Sequence, residues 1–168
     1  MSGGGGQAEA PDAIALDDRN QCEVCGMIVS DHPGPNGQIF FRDNSPEGHD
    51  NPAWFDAVKA CMFPYRFEHE SYGWEIAAQY VTDYSVVDWT LSDEHGQIYI
   101  SSFVAADTFV DATQASYVLG SEVNGAMGPD FIPFSKEADA QAFADEHGGK
   151  LYAFEDIGPE QLGREQPN

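Results

Sequence analysis

The chain has 168 residues, of which 42% are apolar, including eleven Phe, seven Tyr and three Trp; that is core enough for one ordinary domain or two small ones packed together. Twenty-nine acidic residues face seven Lys and Arg, a net charge of −22, which excludes an electrostatic grip on nucleic-acid phosphates. No apolar run approaches the roughly 20 residues that span a bilayer, and no signal peptide is legible.

The acids run from Glu9 to Glu165. Charge of this size repels itself in dilute buffer and is tolerated where counterions are dense, so the composition predicts a protein adapted to high salt. The opening "MSGGGGQAEAPDAIALDDRN" (1–20) predicts a flexible tether. "GMIVS" and "QIFFRD" predict two short strands joined by the turn residues of "DHPGPNG". In "HDNPAWFDAVKACM", Asn51 and Pro52 suit a helix start. Trp54, Ala57, Val58, Cys61 and Met62 then form one apolar helical stripe that Pro64 should end. "AAQYVTDYSVVDWT" and "QIYISSFVA" predict paired strands turned by "LSDEHG".

"DTFVDATQAS" predicts a short helix and "YVLGSE" a strand. "NGAMGPD" predicts a turn, and "FIPF" another extended piece. Ser135 is the expected cap of a helix over "SKEADAQAFADEHGG", which Gly148-Gly149 stop. "KLYAFEDI" predicts a closing strand and 158–168 a loose polar tail. Set side by side, 21–92 and 93–157 each approximate a ββαβ unit. The expectation is an α+β fold of two tandem ββαβ halves packed together.

Sulfur carries the chemistry. "CEVCGM" places Cys22, Cys25 and Met27 within six residues. A zinc site lacks its second Cys or His pair, and a thioredoxin-type motif should lead into a helix, with nearby acids raising the thiol pKa rather than lowering it. A Cys22–Cys25 disulfide remains open. Thiolate and thioether together select Cu(I), because polarizable donors match a polarizable ion. In an extended strand Cys25 and Met27 point to one face, and Met127 of "AMGPD" offers a third sulfur at the matching place in the repeat. Met62 and Cys61 sit on the helical stripe, where packing is the simpler role, and His147 suits a helix end. His32 and His49 flank loops near the motif as auxiliary candidates. No G-x-S-x-G, H-E-x-x-H or phosphate loop occurs.

"CEVCGMIVSDHPGPNGQIFF", "MGPDFIPF" and "FADEHGG", in that order, resemble the NosL family, accessory proteins of nitrous oxide reductase. The resemblance covers about 21–157. It implies a non-enzymatic, extracytoplasmic, usually lipid-anchored copper chaperone. Such a protein delivers Cu(I) for the copper–sulfide cluster of the reductase apoprotein, beside a membrane transporter complex. It also implies two homologous ββαβ halves, a topology shared with organomercurial lyase. Cys25, Met27 and Met127 match the positions expected to hold copper, and Cys22 the family's first cysteine. The lipid-attachment segment is not found in this chain. "CMFPYRFEHE" and the acidity depart from typical members, making Cys61 and Met62 a candidate secondary position. Two alternatives stay open: a binding module with a structural Cys22–Cys25 bridge or zinc, and a lyase-like enzyme. The latter needs a thiol pair plus an acid, with Cys25 and Cys61 meeting in space.

Overall fold

In the computed structural model, residues 11–162 are described; positions 1–10 and 163–168 of the expected tether and tail lie outside them. β1 (Gly37–Arg42) pairs antiparallel with β2 (Ala53–Phe55) on one side and β3 (Glu75–Thr82) on the other. Between β2 and β3 runs a π-helical turn, Val58–Met62, continuing into α1 (Phe63–Ser71). The second half repeats this plan. β7 (Ser116–Leu119) pairs with β10 (Ile132–Phe134) and with β11 (Lys150–Ala153), and α2 (Glu137–His147) connects the last two. Both sheets have the spatial order second–first–third strand. The α+β fold of two ββαβ halves is therefore present.

Several elements differ from expectation. "GMIVS" is no strand: Gln21 and Ile28 form a single bridge, followed by a 3-10 turn at Val29–Asp31. The predicted helix from Asn51 is β2 first, because the Asn51 side chain bonds both the N–H and C=O of Phe41 at 3.1 Å and holds the chain along β1. Pro64 stands in the first turn of α1 rather than at its end, where a missing N–H costs little.

β4 (Leu91–Glu94) and β5 (Gln97–Ile100) form the hairpin instead of β3 and β5, turning at His95 and Gly96, both with positive φ. β5 then pairs parallel with β8 (Val123–Gly125), which turns back through Ala126-Met127 into β9 (Gly128–Pro129). The helix expected from Asp107 is β6 (Phe109–Asp111), paired with β3 and flanked by two 3-10 turns. Ser135 does not cap α2; its N–H donates to Asp83.

Residues 11–20 are not a loose tether. The buried Gln38 side chain donates to the Ile14 carbonyl and accepts its N–H, at 2.9 and 3.0 Å, and buried Leu16 donates to Val104. Nor is the tail free throughout, since Pro159–Leu162 is helical and Leu162 is buried. The halves meet at Phe63, whose ring lies edge-on to Tyr117 and Phe131 and 5.6 Å from Phe154. Full burial of such a ring contributes roughly 1.5–3 kcal/mol.

Candidate metal centre

The "CEVCGM" stretch is a closed turn. Cys22 N–H donates to the Met27 carbonyl at 2.8 Å and Gly26 N–H to the Cys22 carbonyl at 3.0 Å. Gly26 has φ +80, a conformation glycine adopts without strain. Cys25 and Met27 thus stand on a turn, not on one face of an extended strand as expected.

Glu23 fastens this turn to β2. Its backbone N–H donates to the Trp54 carbonyl, and its carboxylate accepts the Trp54 N–H at 3.3 Å. His49 stacks on Trp54 at 4.1 Å and places Nε2 2.6 Å from Glu23 Oε2 and Nδ1 2.6 Å from the Asp50 carbonyl. Both ring nitrogens are engaged, so His49 serves as a brace and not as a ligand. Burial raises the Glu23 carboxyl, with His49 pulling the other way.

The turn meets the residues between β2 and α1. Sulfurs of Cys22, Cys25 and Cys61 and a carboxylate oxygen of Asp56 lie within 4.8 Å of one another. Cys25 Sγ donates toward Asp56, 3.3 and 3.2 Å from its two oxygens, and Cys61 Sγ is 3.7 Å from Oδ1. All three cysteines are free thiols. Cys22 and Cys61 are buried, while Cys25 is half-buried. The π-helical turn is what sends Cys61 inward, because its i→i+5 bond from Met62 N–H to the Ala57 carbonyl widens the backbone there.

The thiols are unequal. Donation from Cys61, aided by the N–H groups of Cys25, Asp56 and Val24, brings Cys22 down to about 7. Sharing that proton with Cys22, together with burial, holds Cys61 far above the ordinary thiol range. Burial pushes Cys25 up to about 12 against the Met27 N–H, and Asp56 and Cys22 push the same way. The expectation that nearby acids raise the thiols holds for Cys25 and fails for Cys22.

Cys22, Cys25 and Cys61 are therefore brought together, and Asp56 is the member that sequence reasoning missed. Met62 packs against β1. It is fully buried, and its Sδ packs so closely on β1 that a Cβ at Gly37 would meet it at 2.4 Å. Met27 shares the thiol turn and is half-buried. Met127 tops the β8–β9 hairpin, 45% exposed. That hairpin leads into Asp130, whose buried carboxylate accepts the N–H groups of Val58 and Lys59 at 3.1 and 2.7 Å. His32 lies in a separate hydroxyl-rich cavity of about 240 Å³ with Ser30, Thr90, Ser92 and Tyr99, and His147 pairs with Glu122 at the end of α2.

The NosL family model matches residues 13–162. The chain belongs to the NosL family. It is 32% identical over 152 residues to the copper-binding lipoprotein NosL of Stutzerimonas stutzeri, covering 86% of this chain and 65% of that one. It is 34% identical over 134 residues to the copper-binding lipoprotein NosL of Achromobacter cycloclastes, covering 79% and 61%. The chain thus spans a little under two thirds of the length of these NosL relatives. The crystal structure of the copper chaperone NosL from Shewanella denitrificans superposes with a TM-score of 0.71 at 28% identity, over 89% of this chain and 97% of that one. Both relatives named as NosL lipoproteins bear a name that implies a lipid anchor. Among the described residues no helix is long and apolar enough to cross a membrane.

Proposed function

We propose that this chain carries Cu(I), held by the Cys25 thiolate with the thioethers of Met27 and Met127, for assembly of the copper–sulfide cluster of nitrous oxide reductase. The observation that carries the reading is the half-buried Cys25 thiol in a three-sulfur cluster, with Met27 in the same turn. Soft donors of this kind favour Cu(I) over hard cations. Low coordination at a half-open thiolate leaves room for an incoming ligand, so copper passes through shared-ligand intermediates without entering solvent.

The acceptor is the reductase apoprotein, working with a membrane transporter complex on the outer side of the cell membrane, where a lipid anchor holds the carrier. Exposed Val24, at the tip of the thiol turn, borders an apolar groove of about 550 Å³ with Ala60, Pro64, Phe67 and Leu162. This is a suitable contact for such a partner. Anaerobic titration of the reduced protein with Cu(I) against a competing chelator tests the reading. One tight equivalent is expected, lost in Cys25→Ser and weakened in Met127→Leu. Indifference to both changes favours a structural role for the thiols. Three thiols and a carboxylate also suit Zn²⁺, so a preference for Zn²⁺ over Cu(I) in the same titration supports that structural reading.

One observation favours a second reading. Cys25, Cys61 and Asp56 meet, as a lyase acting on carbon–mercury bonds would require. Incubating metal-free protein with an aryl mercurial decides it: release of the free arene supports the lyase, and unchanged mercurial removes it.

A further inference from the structure

One copper ion held through Cys25 and two methionines leaves two of the three clustered thiols without a task. These are Cys22 and Cys61, 3% and 0% exposed, from segments 39 residues apart yet with sulfurs inside the same 4.8 Å cluster. Neither can present itself to a partner protein. Both share a cluster with Cys25, the one thiol of the three that is only half-buried.

We propose that Cys22 and Cys61 form a two-electron store that reduces Cu(II) arriving at Cys25, so that the carrier loads from either oxidation state of copper. The inference rests on the copper-carrier reading and extends it to an activity. The balance is simple. Two Cu(II) ions each gain one electron, the two thiols together lose two electrons and two protons, and one sulfur–sulfur bond forms between Cys22 and Cys61. No further oxidant or reductant is needed. One Cu(I) stays on Cys25 and the other leaves to an acceptor.

The geometry assigns the roles. Cys22 and Cys61 are the pair that closes the bridge, because both sulfurs are buried and lie in the same 4.8 Å cluster. The Asp56 oxygen 3.7 Å from Cys61 Sγ takes up the Cys61 proton, and the protons of Cys22 and of Cys25, the latter displaced by copper, leave to solvent water. Cys25, the least buried of the three thiols, is kept out of the bridge by the copper it holds. It therefore remains a ligand after the store is spent.

The experiment mixes reduced, metal-free protein anaerobically with Cu(II) chloride and bicinchoninate, a chelator that reports Cu(I). With the chelator in excess, so that it also strips the Cu(I) held on Cys25, two Cu(I) per chain should be reported as the Cu(II) paramagnetic signal disappears. Intact mass should fall by two hydrogens, and peptide mapping should find Cys22 linked to Cys61 with Cys25 still open to alkylation. Cys61→Ser should slow the reduction at least ~10-fold, thiolate attack having lost its partner sulfur, while still binding Cu(I) supplied directly. A Cys22–Cys25 link, or reduction by Cys61→Ser as fast as by the parent, overturns the proposal. The link is mapped in the parent protein, so the test survives a poorly folding variant. Direct Cu(I) titration separates the two claims: failure of the parent to bind Cu(I) sinks the carrier, whereas binding without Cu(II) reduction sinks only the store.

Discussion

Asp130, in the second ββαβ half, accepts the backbone N–H of Lys59, in the first, at 2.7 Å. The same carboxylate accepts from Val58 and from Phe131, so it caps the turn that carries Cys61 from across the interface. Burial pushes this acid from 3.8 up to about 7, against the three N–H donors. A raised folded pKa contributes stability that is complete below about pH 4 and lost as pH rises through 7. The span amounts to roughly 4 kcal/mol. Asp130→Asn removes that titration and turns an amide N–H against backbone donors, at a cost of about 1–3 kcal/mol. Urea unfolding should show the gap between parent and variant widest at about pH 4 and narrowing toward pH 8. The opposite trend would mean that the donors outweigh burial.

Proton release should betray which sulfurs hold copper. With Cys25 held as a thiol up to about 12, each Cu(I) bound through it expels one proton. Affinity should rise about tenfold per pH unit between roughly pH 6 and 9. Twice that slope would add Cys61 to the ligand set. A flat profile would remove Cys25 from it.

The two candidate methionines outside the thiol turn should separate cleanly. Met62→Leu should leave Cu(I) affinity unchanged and cost less than ~1.5 kcal/mol, as volume-conserving core swaps do. Met62→Ala should cost about 2–5 kcal/mol. Met127→Leu should do the reverse, weakening Cu(I) in chelator competition while leaving the melting midpoint in place, because its side chain is 45% exposed.

Adaptation to high salt, inferred from the net charge of −22, predicts a melting midpoint that climbs through a KCl series as self-repulsion is screened. A midpoint indifferent to KCl would remove that inference.

The duplicated plan was legible because β1, β7, β10, β11 and α2 each carry a local pattern that tertiary contacts do not override. The stretch from Asn51 to Pro64 was not. Trp54, Ala57, Val58, Cys61 and Met62 have helical spacing, yet the same spacing arises when a three-residue strand runs into a wide turn. Only the bonds from Asn51 to Phe41, ten residues away, decide between them. Asp56 was hidden among twenty-nine acids. Its one mark was position: a lone carboxylate inside the apolar run "AWFDAVKACM", five residues before Cys61, where a charge without a partner would be expensive. Met62 and Cys61 share the burial that their helical stripe implies, and Cys61 also reaches the other thiols.

β6 lies on the chain's path from one half to the other, and it is also the outer strand beside β3. The link between the lobes is thus stitched into the sheet of one of them. A clamshell opening hinged before β6 would have to peel that strand away, breaking ladder bonds before any gap appeared. The copper ion proposed above would then come and go at the rim, one donor atom exchanged for another, while the body stays shut.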